Sequence, residues 1–208
     1  MDVSTSIAAS LLEVGAVRIQ PEQPFTWSSG WKAPIYCDNR LTLSYPSIRS
    51  TIKQELAKLV QAHFPQATVI AGVATAGIPQ GALVADVLGL PYIYVRNKPK
   101  GHGMTNQIEG EVPDGSSVVL VEDLISTGGS SIQAAEACRR EGLKPLGIVS
   151  IFTYGFPVAE ENMAKAQLES YSLSNYTDLL RYGLDRGIIA GNQKNRLQEW
   201  RQSPATWS

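Results

Sequence analysis

Apolar residues recur with two different periods along the chain. After Pro46 they return every three or four residues, which predicts an amphipathic helix that ends at Pro65. From residue 68 onward, short apolar runs alternate with stretches of helical period. The predicted strands are 68–73, 92–95, 117–121 and 145–152, and the predicted helices are 78–88 and 130–141. Apolar strands alternating with helices are typical of a parallel sheet covered on both faces, so we predict an α/β fold.

The two ends of the chain lack this alternation. Residues 4–14 predict a short helix, capped by Ser4 or Thr5 and closed by Gly15. Residues 17–37 mix β-prone pieces with proline and glycine, which predicts loops and brief strands. After residue 152 we expect two or three short helices and room for one strand, ending near Trp200. Neither a repeat nor a linker divides the sequence, so we expect a single domain over residues 1–208, with residues 1–45 forming most of a small cap.

Composition narrows the classes of function. The chain has 208 residues, of which 43% are hydrophobic and 18% charged, as in globular proteins. Its 18 basic and 19 acidic residues nearly cancel, which argues against nucleic acid or a membrane surface as a partner. The sequence shows neither an apolar run of membrane-spanning length nor the positively charged start of a signal peptide. Cys37 and Cys138 lie far apart and outside any metal-type spacing, which favours a reduced, cytoplasmic protein.

The most informative segment joins the strand at 117–121 to the helix at 130–141. Glu122 and Asp123 follow the apolar strand, and we expect a turn from Glu122 to Gly129 that is rich in serine, threonine and glycine. In parallel sheets, ligands bind beyond the carboxyl ends of the strands. Small residues let backbone N–H groups converge on a phosphate, and a helix N-terminus adds partial positive charge. Carboxylates accept hydrogen bonds from hydroxyl groups. The segment therefore offers binding groups to both the ribose hydroxyls and the phosphate of a ribose 5-phosphate.

Other phosphate-binding motifs fit this segment poorly. A Walker A loop requires lysine followed by serine or threonine after its last glycine, and the dinucleotide fingerprint places its acid after the glycines rather than before them. A solvated turn that only caps a helix is the structural alternative. The segment closely resembles the signature with which type I phosphoribosyltransferases bind the activated ribose phosphate PRPP. The resemblance implies that PRPP is bound by Glu122, Asp123, Leu124, Ile125, Ser126, Thr127, Gly128, Gly129 and Ser130, with Asp123 also catalytic.

A basic loop follows the predicted strand 92–95. It carries Arg96, Lys98, Lys100 and His102 among glycines, within a polar loop that we expect over residues 97–114. A mobile cationic loop suits a reaction whose leaving group is pyrophosphate, because it can stabilise the leaving oxygens and exclude water. An ordinary exposed basic loop is the alternative.

This loop resembles the flexible loop of orotate phosphoribosyltransferases at Arg96, Lys100, His102 and Gly103. The resemblance implies that Arg96, Lys100 and His102 bind PRPP and act in catalysis. It also implies a homodimer in which the loop, residues 96–103, enters the neighbouring subunit's site. Asn97 departs from the second cation of the family pattern, with Lys98 beside it.

Two further segments share this resemblance. Residues 25–40 resemble the part of the family's cap that lies over the orotate pocket, which implies that Tyr36 stacks on the pyrimidine and that Lys32 faces its carboxylate or a phosphate. Residues 72–79 resemble the family's pyrophosphate loop, which often contains a non-proline cis peptide. Ala76 occupies a position where some members carry lysine.

Together these segments imply a type I phosphoribosyltransferase fold, in which helices flank a parallel twisted sheet and a small N-terminal cap, or hood, covers the site. The implied reaction transfers ribose 5-phosphate from PRPP to orotate, and Ser126 also contacts orotate. Mg²⁺ is expected on PRPP, reached through water by Glu122 and Asp123 rather than bound directly. Two alternatives stay open: a phosphoribosyltransferase for another base, and a non-catalytic regulator that binds a nucleotide or RNA. No arginine stands at residues 151–155, where some family members offer one to the orotate carboxylate.

Overall fold

The computed structural model describes residues 1–27, 29–98 and 107–207. The helices are α1 (Val3–Glu13), α2 (Pro46–His63), α3 (Gly77–Leu88), α4 (Gly129–Arg140), α5 (Pro157–Lys165), α6 (Tyr176–Asp185) and α7 (Lys194–Gln202). The strands are β1 (Val17–Ile19), β2 (Phe25–Thr26), β3 (Lys32–Ala33), β4 (Ile35–Cys37), β5 (Val69–Val73), β6 (Tyr92–Val95), β7 (Ile108–Glu109), β8 (Ser117–Ile125), β9 (Lys144–Thr153) and β10 (Glu169–Asn175). Short 3₁₀ helices span Asn39–Ser44 and Gly191–Gln193.

The main sheet has six strands in the order β10-β9-β8-β5-β6-β7. β9, β8, β5 and β6 are parallel neighbours, which confirms the predicted parallel sheet. β7 pairs antiparallel with β6 and lies inside the segment that we predicted to be a loop over 97–114. That prediction was wrong at Ile108 and Glu109, because a two-residue strand is too short to give a periodic signal.

The central strands are apolar because both sheet faces are covered. Every residue of β5 is buried. On one face, alternate residues of β5 and β8 join α4 in a hydrophobic cluster that includes Val69, Ala71, Val118, Leu120, Ala134, Ala135 and Cys138. α3 packs against β5, β8 and β6. Burial on both faces is the physical reason why these strands appear in the sequence as continuous apolar runs.

β8 is longer than predicted. Its pairing with β9 continues to the register Ile125↔Thr153, so Glu122 and Asp123 lie within the strand. The predicted turn from Glu122 to Gly129 was therefore wrong in its first four residues. The two acids are held by a sheet neighbour rather than by a loop, which fixes their backbone positions.

Contacts divide the chain into two compact units, one of residues 1–49 and 174–208 and the other of residues 50–173. In the first unit α1 packs on α6, and Ser4 Oγ donates a hydrogen bond of 2.6 Å to Asp178 Oδ2. Asp2, not Ser4 or Thr5, caps α1, because its Oδ1 accepts from Thr5 N at 2.8 Å. The C-terminal helices thus complete a unit begun by the N-terminal segment, while the assignment of residues 1–45 as a cap over the site stays a prediction.

Within the described residues, the structure contains no helix that is both long enough and apolar enough to span a membrane.

Candidate active site

The segment singled out in the sequence lies at the carboxyl end of β8, where residues 126–128 lead into α4. Gly128 occupies the N-cap position of α4 with φ +81°, a left-handed conformation that glycine adopts without steric cost. No side chain in the described part of the protein caps this helix. The N–H groups of its first turn have no partner within the helix, so the turn can bind an anion.

Glu122 is buried, with 5% of its surface exposed, and both of its carboxyl oxygens accept hydrogen bonds. Oε1 accepts from Asp123 N at 3.1 Å, and Oε2 accepts from Ser130 Oγ at 3.3 Å and Ser131 Oγ at 3.4 Å. Burial raises the pKa of Glu122 well above its usual value, and the nearby charge of Asp123 raises it further. Glu122 therefore links the end of β8 to the start of α4, and the half-buried Asp123 is the more accessible acid.

The backbone carbonyls of the turn are held by neighbouring elements. Ile125 O accepts from Tyr154 N at 3.1 Å and from Thr153 Oγ1 at 3.3 Å. Thr127 O accepts from Asn162 Nδ2 of α5 at 3.1 Å. Ser126 and Thr127 are half-buried, and Gly129 and Ser130 are exposed. The predicted PRPP-binding residues thus run from the end of β8 through the turn into α4, and the carbonyls at 125 and 127 already have partners.

A second turn, between β5 and α3, approaches the same end of β8. The Ala74–Thr75 peptide is cis, as in the family's pyrophosphate loop, and Ala74 N donates to Val95 O at 2.9 Å. A Cβ on Gly77 would collide with the carbonyl oxygen of Val121. The missing side chain at Gly77 is what lets α3 begin directly against β8, and it brings residues 74–77 next to Glu122.

The basic loop is described only at its two ends. Arg96 follows β6, and its Nη1 lies 3.2 Å from Glu109 Oε1 of β7. Gln107 accepts at Oε1 from Arg140 Nη2 of α4 at 2.6 Å. Lys100, His102 and Gly103 lie outside the described residues, so their roles and the sharing of residues 96–103 between subunits stay predictions.

The predicted orotate-binding residues Tyr36 and Lys32 both lie in the first unit. Tyr36 faces Arg18 across the β1–β4 pair, and the Arg18 guanidinium carbon lies 5.3 Å from the centre of the Tyr36 ring. The Phe25 ring is 5.6 Å from that ring, centre to centre. Lys32 Nζ donates to Thr26 Oγ1 at 2.7 Å on the β2–β3 pair. Their contacts to orotate stay predictions.

Two residues of the site were not identified from the sequence. Ser131 is buried and shares the Glu122 carboxyl with Ser130, and its position directly after Ser130 was the available signal. Asn162 reaches the turn from α5, 35 residues further along the chain. No local pattern in the sequence points to a contact of that separation.

The described residues hold no group of three or more histidine, cysteine, aspartate or glutamate side chains that is suited to a metal ion. At the end of β8 the acidic groups are the Glu122–Asp123 pair. Carboxylate oxygens are the ligands that Mg²⁺ prefers, often through its retained waters. The pair therefore fits an ion that the substrate carries.

Comparison with known proteins agrees with this geometry. Residues 45–177 match the family model described as phosphoribosyl transferase domain. The chain is 55% identical to an orotate phosphoribosyltransferase of Porphyromonas gingivalis over 97% of this chain and 96% of that one. It is 51% identical to an orotate phosphoribosyltransferase of Cytophaga hutchinsonii over 100% of this chain and 99% of that one.

A solved orotate phosphoribosyltransferase of Aeropyrum pernix superposes with a TM-score of 0.77 at 30% identity, over 88% of this chain and 99% of that one. Full-length relatives and a shared fold point to the same group of proteins. The chain belongs to the phosphoribosyltransferase family, among the orotate phosphoribosyltransferases.

Proposed function

We propose that this protein transfers the ribose 5-phosphate group of PRPP to orotate, forming orotidine 5′-monophosphate and pyrophosphate, a step in pyrimidine biosynthesis. The observation that carries the proposal is the carboxyl end of β8, where Glu122 and Asp123 lie in the strand and residues 126–128 lead into the N-terminus of α4, which no described side chain caps. This arrangement offers acceptors to hydroxyl groups and N–H donors to a phosphate within one turn.

The 5-phosphate binds to the turn of residues 126–130. Backbone N–H groups at the start of α4 point at the phosphate, and the helix dipole favours its negative charge. The half-buried Thr127 adds a hydroxyl donor at the rim, while the Ser130 hydroxyl donates to Glu122. Leu124 and Ile125 contribute backbone groups to PRPP binding at the end of β8.

The ribose hydroxyls donate to Asp123 and Glu122. Asp123 is the more accessible of the two, so its carboxylate is suited to direct contact. Glu122 already accepts from Ser130 and Ser131, so it also sets the geometry of the turn. Burial and the nearby charge of Asp123 raise the pKa of Glu122, so the more accessible Asp123 is better suited to carry a negative charge at the site.

In the reaction, the bond between the anomeric carbon and the pyrophosphate oxygen breaks, and its electron pair leaves with pyrophosphate. A ring nitrogen of deprotonated orotate supplies the electron pair for the new bond. The transition state resembles an oxocarbenium ion, as in glycoside chemistry, and the nearby carboxylate favours its positive charge. Arg96, Lys100 and His102 stabilise the charge that develops on pyrophosphate.

Asp123 and Glu122 would hold, through water, the Mg²⁺ that PRPP carries, and the ion would neutralise charge on the polyphosphate. The turn of residues 74–77 lies beside Glu122 and supplies backbone groups to pyrophosphate, because Ala76 brings no cation.

Orotate is recognised by Tyr36, Lys32 and Ser126. Tyr36 stacks on the flat ring, and its location beside Arg18 and Phe25 gives it an aromatic and cationic neighbourhood suited to a planar anion. Lys32 supplies a positive charge from the exposed edge of β3. The working form is a cytoplasmic homodimer in which the loop of residues 96–103 completes the partner's site.

The decisive experiment is a spectrophotometric assay of orotate consumption with PRPP and Mg²⁺, omitting each component in turn. We expect loss of orotate absorbance only in the complete mixture. Activity with guanine, xanthine or another base but not with orotate would assign the protein to a different phosphoribosyltransferase. A folded sample that binds nucleotides or RNA but transforms no base would favour the regulator instead.

A further inference from the structure

A side chain of α5 holds the outer side of the turn between β8 and α4. Asn162 is half-buried on α5, and its Nδ2 donates to the carbonyl oxygen of Thr127 at 3.1 Å. Thr127 precedes Gly128, the N-cap residue of α4. The hydrogen bond therefore acts on the peptide unit that joins Thr127 to Gly128, in the middle of the turn.

The geometry of that peptide unit links the position of the Thr127 carbonyl to the direction of the Gly128 N–H. In a trans peptide the carbonyl and the N–H of the same unit point in opposite directions. The cis peptide among the described residues is Ala74–Thr75, so the Thr127–Gly128 unit is trans. Holding the Thr127 carbonyl toward α5 turns the Gly128 N–H away from α5.

α5 is itself fixed against the turn and α4. Met163 is buried next to Asn162, and a Cβ on Gly128 would lie 2.8 Å from Met163 Cε. At the end of α5, Arg139 Nη2 of α4 donates to Ala166 O at 2.8 Å. The donor of Asn162 therefore comes from a helix that packs against the turn at Gly128 and is held to α4 by Arg139.

We propose that Asn162 is a positioning residue for PRPP, which presents the Gly128 N–H to the 5-phosphate by holding the Thr127 carbonyl. The proposal rests on the proposed function. An amide suits the position because it donates to a carbonyl. Leucine has a similar size but no donor, and aspartate places a second acceptor against the carbonyl oxygen.

We expect loss of the Asn162 side-chain amide to weaken binding of the 5-phosphate end of PRPP. Without the Asn162 hydrogen bond the turn samples other orientations, and the affinity for ribose 5-phosphate falls about tenfold, as for the loss of one well-oriented hydrogen bond. The turn holds the 5-phosphate equally in the ground state and in the transition state. KM for PRPP therefore rises by a similar factor while kcat changes little, and KM for orotate is unchanged.

The test compares Asn162→Leu and Asn162→Asp with two control substitutions on the same helix. Glu161→Gln removes an exposed charge next to Asn162, and Ala164→Asp adds an exposed negative charge without touching the turn. Calorimetry of the full chain measures binding of ribose 5-phosphate and, separately, of pyrophosphate, which lacks the 5-phosphate end. Steady-state assays give kcat and both KM values.

Weaker binding of ribose 5-phosphate by both Asn162 variants, with pyrophosphate binding and the controls unchanged, would support the proposal. Binding of ribose 5-phosphate by Asn162→Leu as tight as that of wild type would overturn it while leaving the proposed function intact. Equal loss of both ligands together with a lower unfolding temperature would also overturn it, in favour of a structural role. Failure of the wild type to bind PRPP or ribose 5-phosphate would instead refute the proposed function. If Asn162→Leu does not fold, Asn162→Asp decides by the same measurements.

Discussion

At the scale of single residues, Glu122 shows how burial changes the role of an acid. From the sequence it was one of two equivalent acceptors at a strand end. In the structure its oxygens accept from Asp123 N, Ser130 and Ser131, and its pKa is raised well above the usual value by burial. Asp123, one residue later, is half-buried, so neighbouring acids occupy different electrostatic environments.

The raised pKa of Glu122 predicts a specific dependence of stability on pH. Because the folded protein keeps the proton that the unfolded chain releases, this group stabilises the fold below its ordinary pKa of 4.5, and that contribution is lost as pH rises toward its folded pKa. Glu122→Gln removes the titration. We therefore expect the variant to gain stability relative to wild type between pH 4.5 and neutral pH. Urea unfolding at several pH values measures this difference, and Glu161→Gln serves as the exposed control. A difference that is independent of pH would contradict the assignment.

The substitution Asp123→Asn tests whether the more accessible of the two acids contributes to catalysis. Loss of this carboxylate removes the proposed acceptor for the ribose hydroxyls and the proposed stabilising charge, so we expect kcat/KM to fall about 100-fold. Stability should change little, because Asp123 is only half-buried. Asp114→Asn, at an exposed position in the same unit, is the matched control. Full activity of Asp123→Asn would remove this residue from the catalytic groups.

At the scale of elements, close packing of α3 on the sheet brings the two turns together. A Cβ on Gly72 would lie 2.5 Å from the Tyr92 hydroxyl, and one on Gly81 would lie 2.9 Å from Gly72 Cα. Gly77 lies against the Val121 carbonyl in the same way. Glycines spaced along one face of α3 thus let the helix approach β5 and β8 closely, and the turn of residues 74–77 reaches the acids at the end of β8.

Gly77→Ala should separate α3 from β8. The added methyl group would overlap backbone, which cannot rotate away, so we expect a loss of about 1–3 kcal/mol in the free energy of unfolding. Activity should also fall, because the turn of residues 74–77 shifts away from Glu122. Gly191→Ala has nothing within 4 Å of its new Cβ and is the control, with a change under about 0.5 kcal/mol. Chemical denaturation of both variants tests the comparison, and equal stability would show that the helix adjusts without cost.

Helices and strands were predicted correctly where the pattern of hydrophobic residues was sustained. The helices at 46–63 and 77–88 keep a helical period throughout, the four parallel strands are mostly apolar runs in the sequence, and all were confirmed. The errors were at the boundaries of β8 and in the short strand β7. In both cases a neighbouring strand supplies the hydrogen bonds, from β9 to Ile125 and from β6 to Ile108, which the local sequence does not reveal.

At the scale of the whole molecule, the C-terminal segment belongs with the N-terminal one. Trp200 of α7 is fully buried, and its indole N–H donates to Lys32 O at 3.2 Å. Its ring packs edge-on against Trp27 at 5.5 Å between ring centres. Trp200 therefore packs against the segment that carries the predicted orotate-binding residue Lys32.

Trp200→Ala should destabilise this unit by about 3–5 kcal/mol, as for other buried large-to-small substitutions. Trp200→Phe keeps much of the ring and loses the N–H donor, so the loss should be smaller. Trp207→Ala, at a half-buried position near the C-terminus, is the control. Thermal unfolding monitored by circular dichroism compares the three. A loss no larger for Trp200→Ala than for Trp207→Ala would contradict the structural role of Trp200.

The proposed sharing of the basic loop in a homodimer predicts complementation between subunits. Lys100→Ala and Asp123→Ala homodimers should each turn over slowly. In a mixed dimer one of the two sites would combine an intact loop with an intact acid, so activity should recover to about half of the wild-type value per dimer. Purified mixed dimers without recovered activity would show that each subunit supplies its own loop.

The sequence by itself determined the central alternation of strands and helices, the parallel sheet and the turn of small residues that leads into α4. These depend on residues close together in the chain, whose polarity and conformational preferences act locally. Only the tertiary structure decided that β8 extends past the two acids, that Asn162 holds the Thr127 carbonyl from 35 residues away, and that Trp200 packs on Lys32 from 168 residues away. Such contacts depend on which surfaces meet after the chain has folded, and a pattern along the chain carries no information about that.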